Sequence, residues 1–325
     1  MWRHGCWICG PAAARSLLPP RPLPRSEASR PRLAVRPEQA AHRDGGGLMK
    51  TIGRTELLRR RAGSQGLGRQ TAFESTTAAV SRLLALQGQD LPGALWSLGG
   101  RTGNTQDQVR AAFDDASLVR TWPFRGTLHV VAAEDVHWIL ALTAERTVRS
   151  AARRHAELDL DQRTFDRAAD VAREVLSGRR ALSRRSLLEA FGSAGISTAG
   201  QRGYHLLWHL SITGTTVLGP FDGAEQQFVL LDEWVRKRRN LDVDEALAEL
   251  VRRYFTGRSP ATTADMLWWC KLPVTAIRRG IAACGAALEA VEYDCDAYWQ
   301  PAQPRADADD ARLPDAVLQP GMEGS

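Results

Sequence analysis

Leu118-Val-Arg-Thr-Trp122 and Thr127-Leu-His-Val-Val131 are two runs rich in β-branched and aromatic residues, separated by Pro123-Phe-Arg-Gly126. Two such runs around a short Pro/Gly turn predict a β-hairpin. What precedes them predicts helices. Leu57-Leu58 sit in a basic helix ending near Gly63. Thr76 to Leu86 places Val80, Leu83, Leu84 and Leu86 on or near one helical face. Pro92-Gly93 open a short helix through Leu98, and Thr105 is an N-cap for a helix through Phe113. Several helices followed by a hairpin is the order of a winged helix, a helix-turn-helix relative whose hairpin is the wing.

The order recurs. Ala132 to His155 predicts a long connecting helix, and Thr164 to Leu176 a further one. Ser183 caps a short helix carrying Leu187 and Leu188, and Thr198 to Leu210 follows as a third. Thr215-Thr-Val-Leu218 and Gln227-Phe-Val-Leu-Leu231 then bracket a Gly/Pro/Asp loop, a second wing. Asp242 to Phe255, Thr262 to Trp269 and Pro273 to Cys284 predict three more helices, with Leu288 to Tyr293 and Tyr298-Trp299 as a third wing. The recurrence is of architecture and not of a fixed period. The expected fold is α+β and mainly α, with three tandem winged-helix modules over 49–155, 156–238 and 239–302, the last partial. Residues 1–48, rich in Arg, Pro, Ala and Gly, read as a disordered extension before Met49. Residues 303–325 read as a disordered or truncated acidic tail.

Charge narrows the function. The 325-residue chain has a net charge of +6. Residues 1–48 carry eight Arg against Glu27, Glu38 and Asp44, and the tail is acidic, so 49–302 is only mildly basic. That permits binding to nucleic acid through a local patch without requiring it. No run approaches the roughly 18 apolar residues a membrane span needs. The expected setting is cytoplasmic, nucleoid-associated when bound to DNA, and the expected state a monomer. The five cysteines do not form a disulfide framework. Cys6-Trp-Ile-Cys9 has redox or metal spacing but no second pair in range. Gly66-Leu-Gly68 is no phosphate loop, and no Gly-x-Ser-x-Gly elbow occurs. His205 and His209, four apart on one helix, suit zinc by spacing but have no third ligand nearby; they read as the edge of a core formed by Tyr204, Leu207 and Trp208. Neither a metal nor a small-molecule cofactor is expected.

Gln201 and Arg202 open the third helix of the second module, where recognition helices make their base contacts. Arg pairs with guanine O6/N7 and Gln with adenine N6/N7; the alternative is two exposed residues capping a helix. Arg120 and Arg125, around the first wing, are phosphate-contact candidates. Leu86-Gln-Gly-Gln-Asp-Leu-Pro92 clusters two amides and a carboxylate directly after an apolar helix. Gly88 and Pro92 end that helix. In an extended segment Gln87 and Gln89 point the same way, and an amide oxygen can orient a water; the alternative is a polar helix C-cap.

That segment, with Ala94-Leu-Trp96, Leu118 to Trp122, Arg125 to Asp135, Gly200-Gln-Arg202, Tyr204 to Trp208, Phe228 to Trp234 and Gly257-Arg-Ser-Pro-Ala-Thr262, resembles the AlkZ/YcaQ-like winged-helix DNA-binding family over about residues 50–300. The resemblance implies three winged-helix modules forming a concave surface for double-stranded DNA. It also implies a DNA glycosylase that removes bulky N-alkylated or crosslinked bases. Gln87 would then position the attacking water, and Gln89 would support it and the sugar. Gly88 stands where the family has a small or apolar residue, which predicts a looser segment. Leu318 to Ser325 looks like the start of a family motif that continues further. A non-catalytic DNA binder or transcription regulator of the same fold, or an inactive truncated homologue, are the alternatives.

Overall fold

The structure is a computed structural model and describes residues 49–68 and 73–303. The Cys6–Cys9 pair, the extension before Met49, residues 304–325 and the Leu318–Ser325 motif lie outside the described residues.

The chain begins with β1 (Lys50–Thr51), α1 (Arg54–Ser64), α2 (Thr76–Leu83), β2 (Leu86–Gln87), α3 (Leu91–Thr102) and α4 (Gln106–Asp114). The hairpin β3 (Leu118–Phe124) and β4 (Thr127–Ala132) follows, then α5 (Val136–Ser150), α6 (Ala152–Glu157), α7 (Gln162–Leu176), α8 (Arg184–Ser193) and α9 (Arg202–Ile212). A second hairpin, β5 (Thr216–Asp222) and β6 (Glu225–Leu230), leads into α10 (Leu231–Trp234). Last come α11 (Val243–Gly257), α12 (Thr263–Cys270), α13 (Val274–Cys284) and a third hairpin, β7 (Leu288–Tyr293) and β8 (Asp296–Pro301). The fold is mixed α+β and mainly helical.

Local chemistry explains most boundaries. Ser75, Asp161 and Ser183 accept hydrogen bonds from backbone N–H groups in the first turns of α2, α7 and α8. Thr105/Gln108, Asp242/Glu245 and Thr262/Asp265 form reciprocal capping boxes. Each satisfies donors that a helix start leaves orphaned, at about 1 kcal/mol per cap. Phe165, Ala168, Ala169, Ala172 and Leu176 recur at helical spacing and are the buried face of α7. Arg125 and Gly126 at one hairpin tip have φ of 56° and 67°, and Asp294 and Cys295 at another have 50° and 63°. Left-handed pairs of this kind match the twist of two-residue hairpins.

Three sequence expectations shift. The long connecting helix breaks at Ala151, into α5 and α6. The helix expected from Thr198 starts at Arg202, after a turn through Gly200 at φ 60°. α2 stops at Leu83, because Leu86-Gln87 is captured as a strand by the edge of β4.

β2 has a place only through the sheet it joins. Five strands run in the order β2-β4-β3-β5-β6, so the first two hairpins share one sheet through the pairing of Arg120 with Leu218. A second sheet, β1-β7-β8, takes its parallel edge strand from the start of the described chain. The largest apolar cluster joins Leu84, Phe124 and Val131 to Trp138, Leu250, Phe255, Met266 and Trp269. Another gathers Phe165, Phe191, Leu206, Trp208 and Phe228. Asp135, fully buried after β4, accepts from Trp138 Nε1 at 2.9 Å and from Arg239 at 3.0 Å, and pairs with Arg253. Glu249 of α11 bridges the same two arginines. This network ties the end of the first hairpin to α11.

Candidate active site and nucleic-acid interface

The backbone before Gln87 is unusual. Leu84 is fully buried and has φ 66° and ψ −50°, and the Ala85 N–H donates to the Leu83 carbonyl at 2.8 Å. That is a γ-turn centred on a leucine, a conformation costing on the order of 1–3 kcal/mol unless the surroundings hold it. Arg258 holds it. Its guanidinium donates to the Leu83 carbonyl at 2.6 Å and to the Ala85 carbonyl at 2.9 Å, with its plane braced by Trp269 at 4.5 Å and Tyr254 at 5.4 Å. Gly257 lets α11 come this close. A Cβ there would stand 2.5 Å from the Arg82 carbonyl oxygen.

The turn delivers Gln87 to the edge of β4, directly opposite His129. Cross-strand partners put their side chains on the same face. Gln87, Gln65, Leu83, Leu86, Arg101, Arg125, Arg258 and Trp269 line a cavity with about 10 Å³ for the centre of a water molecule, room for a single ordered water. Arg101 is fixed at its rim by the Gln65 carbonyl at 2.9 Å and the Ser97 carbonyl at 3.1 Å. The lining holds three guanidinium groups and no carboxylate.

Gln89 is exposed, and its Oε1 accepts from the Leu128 N–H at 3.2 Å. The Gly88 N–H donates to the Leu128 carbonyl at 2.8 Å. A Cβ on Gly88 would meet the Arg120 Cδ at 3.1 Å and the Val130 Cγ2 at 3.3 Å. The looseness expected of Gly88 is therefore corrected: the residue is buried, hydrogen-bonded and covered by Arg120.

The other sequence candidates separate into two places. Arg120 is not at the tip of the β3–β4 hairpin. It lies mid-strand between β4 and β5, its Nε is buried without a partner, and desolvation lowers its pKa to about 10. It stays charged, under the glutamine segment. Arg125 is at the β3–β4 hairpin tip, lines the Gln87 cavity, and has Nε and Nη2 buried with no hydrogen-bond partner. Gln201 and Arg202 are brought together with neither. Gln201 Oε1 accepts from Arg154 at 2.6 Å, while Arg202 donates to the carbonyls of Ser197 and Asp159, both at 3.0 Å, and of Leu158. Those bonds make Arg202 a brace between α6 and the turn before α9. His209 stacks on Phe165 with centroids 3.7 Å apart, and His205 and His155 pack beside it. Among the described residues, no group of three His, Cys, Asp or Glu is arranged to hold a metal ion.

The DNA glycosylase AlkZ-like family model matches residues 80–321. The chain belongs to this family. Among solved structures it is similar to the Streptomyces sahachiroi DNA glycosylase AlkZ, at 20% identity and a TM-score of 0.67, covering 81% of this chain and 73% of that one. That likeness is one of fold. No curated protein matches the chain. Among the described residues no helix is long and apolar enough to cross a membrane.

Within this AlkZ-like chain, four site residues went unassigned by sequence reasoning. Arg258 and Gly257 stand in the Gly257-Arg-Ser-Pro-Ala-Thr262 stretch, which reads as a family match without a role. His129 and Trp269 carried no local signal beyond an alternating strand and an apolar helix. The pairing of β2 with β4 places His129 opposite Gln87, and the Arg258 contact places Trp269 at the cavity.

Proposed function

We propose that this chain is a repair protein that hydrolyses the N-glycosidic bond of bulky alkylated bases, N7-alkylguanine or a crosslinked base, in duplex DNA. Three winged-helix modules, spanning about 49–155, 156–238 and 239–302, would present one concave face to the duplex. The observation that carries the reading is Gln87, held by a clamped turn at a water-sized, cationic cavity.

The chemistry asks little of a general acid. An N7-alkylguanine is already cationic, so the C1′–N9 bond breaks with its electron pair going to the base, which leaves neutral. Water adds to the oxocarbenium-like C1′, and its proton passes to solvent. The protein's task is to place that water, and an amide oxygen in a rigid setting does so by accepting a hydrogen bond. Gln89 supports the arrangement through the Leu128 N–H, which fastens the glutamine segment to the first wing.

Electrostatics favours leaving the lesion outside the cavity. Arg101, Arg125 and Arg258 repel a cationic base and attract a phosphate. A flanking phosphate would then approach Arg125 at the hairpin tip while the base stays on the open face. A bulky or crosslinked base could not enter a closed pocket in any case.

The test is incubation of the full-length chain with a duplex carrying a single N7-alkylguanine, with alkaline strand scission reporting abasic sites. Scission above spontaneous depurination, abolished in Gln87→Ala, is expected. Lesion-independent binding with no scission would replace this reading with that of a DNA-binding protein of the same fold.

A further inference from the structure

Trp268 leaves a large aromatic ring in water. The α12 residues Met266, Trp269 and Cys270 face the core, whereas Trp268 is 47% exposed. Two cations are drawn to its ring. The Arg125 guanidinium carbon lies 4.9 Å from the ring centroid and the Lys271 ammonium 5.7 Å. Lys271 is held there as the helix C-cap, at φ 57°, with its N–H on the Leu267 carbonyl at 3.0 Å. Among the described residues neither cation forms an ion pair, and Nε and Nη2 of Arg125 have no hydrogen-bond partner. Arg125 also lines the Gln87 cavity, so one side chain touches both that cavity and this ring.

We propose that Trp268 is a stacking platform for the nucleotide beside the lesion, with Arg125 and Lys271 receiving that nucleotide's phosphate; the proposal rests on the DNA reading above. A π-face accompanied by two cations and no carboxylate complements a base joined to a phosphodiester. It repels a basic partner, and a carboxylate side chain brings no ring to stack on the indole. The strained wing tip gains a purpose too. The left-handed Arg125 brings its guanidinium to the cavity and the indole at once, linking the platform to Gln87.

The experiment is fluorescence anisotropy with a fluorescein-labelled duplex bearing one N7-methylguanine, measured across a salt series. Trp268→Ala should weaken binding on the order of tenfold with the salt slope unchanged, and Trp268→Phe should retain most of the affinity. Lys271→Gln should reduce the log–log salt slope by about 0.9, the signature of one lost phosphate contact. Trp268→Ala is expected to melt like the wild type; should it fail to fold, an unchanged slope in Lys271→Gln overturns the proposal on its own. Equal affinities for wild type and Trp268→Ala overturn the platform but leave the glycosylase reading standing. A wild-type chain that binds no duplex overturns both.

Discussion

His129 is 1% exposed and sits opposite Gln87. Its Nδ1–H donates to the Thr127 carbonyl at 2.9 Å, which leaves Nε2 as a buried lone pair without a partner. Desolvation lowers its pKa from 6.5 to about 3; the Thr127 bond opposes the shift, and repulsion from Arg125 and Arg258 adds to it. The unfolded chain therefore takes up a proton near pH 6.5 that the folded chain refuses until about pH 3. Over that window the unfolded state binds more protons, so stability falls as pH falls, by up to about 1.4 kcal/mol per unit. From pH 7.5 to 5.0 this one residue should remove about 2 kcal/mol. His209, lowered to about 4 by burial, acts with the same sign. Glu249, held down to about 2 although burial opposes it, by its bonds to Arg239 and Arg252, loses its contribution only below about pH 4.5. The interval above pH 5 thus belongs to the histidines. Urea unfolding at pH 7.5 and 5.0 is the assay, for wild type and His129→Gln. The variant should lose about 2 kcal/mol less than the wild type over this interval. Equal losses in the two proteins, or a wild type that gains stability on acidification, would refute the argument.

Other outcomes follow from the same geometry. Gln87→Ala should reduce base excision at least a hundredfold with duplex affinity nearly unchanged, since phosphate contacts dominate such interfaces; single-turnover rates and anisotropy separate the two. Gln89→Ala should lower stability by about 1 kcal/mol in urea unfolding, because it leaves the Leu128 N–H without its acceptor. Arg258→Lys should lower the excision rate more than it lowers duplex affinity, because one ammonium cannot match a fork across the Leu83 and Ala85 carbonyls and the turn before Gln87 relaxes. Asp135→Ala should cost about 3 kcal/mol in urea unfolding, because it strips a fully buried carboxylate from Arg239 and Arg253.

Features encoded within a few residues were legible in the sequence. Thr105, Ser183, Asp242 and Thr262 cap the helices they announce, and the Pro123–Gly126 signal marks a real hairpin. The third hairpin, too, lies where Leu288–Tyr293 and Tyr298-Trp299 suggest it. Gln87 and Gln89 were visible as a cluster because their amides interrupt an apolar pattern. What was not legible depends on distant partners. Leu86 continues the helical period of α2, and only the edge of β4, some forty residues on, makes it a strand. Arg120 reads as a wing cation, yet the β3–β5 pairing turns that strand into the middle of a sheet and leaves its Nε buried. Arg202 reads as a recognition residue, yet three carbonyls surround it.

The Gly257-Arg-Ser-Pro-Ala-Thr262 stretch shows how such distant dependence organises the site. Gly257 permits contact with the backbone of Arg82 and Leu83, and Arg258 ties down the turn at Leu84. The Ser259 carbonyl accepts from Ser64, the Pro260 carbonyl from Arg61, and Thr262 caps α12. α12 in turn carries Trp269 to the cavity wall and the exposed Trp268 against Arg125. One short segment thus joins α1, the glutamine strand and the exposed indole. The Arg258, Ser259 and Pro260 bonds each meet a backbone carbonyl, so they contribute placement. An amide is a weak catalyst, and it acts only by being where the water must be. A clamp on the turn before Gln87 is what the proposed glutamine-based hydrolysis would require, and the Arg258 bonds to the Leu83 and Ala85 carbonyls supply one.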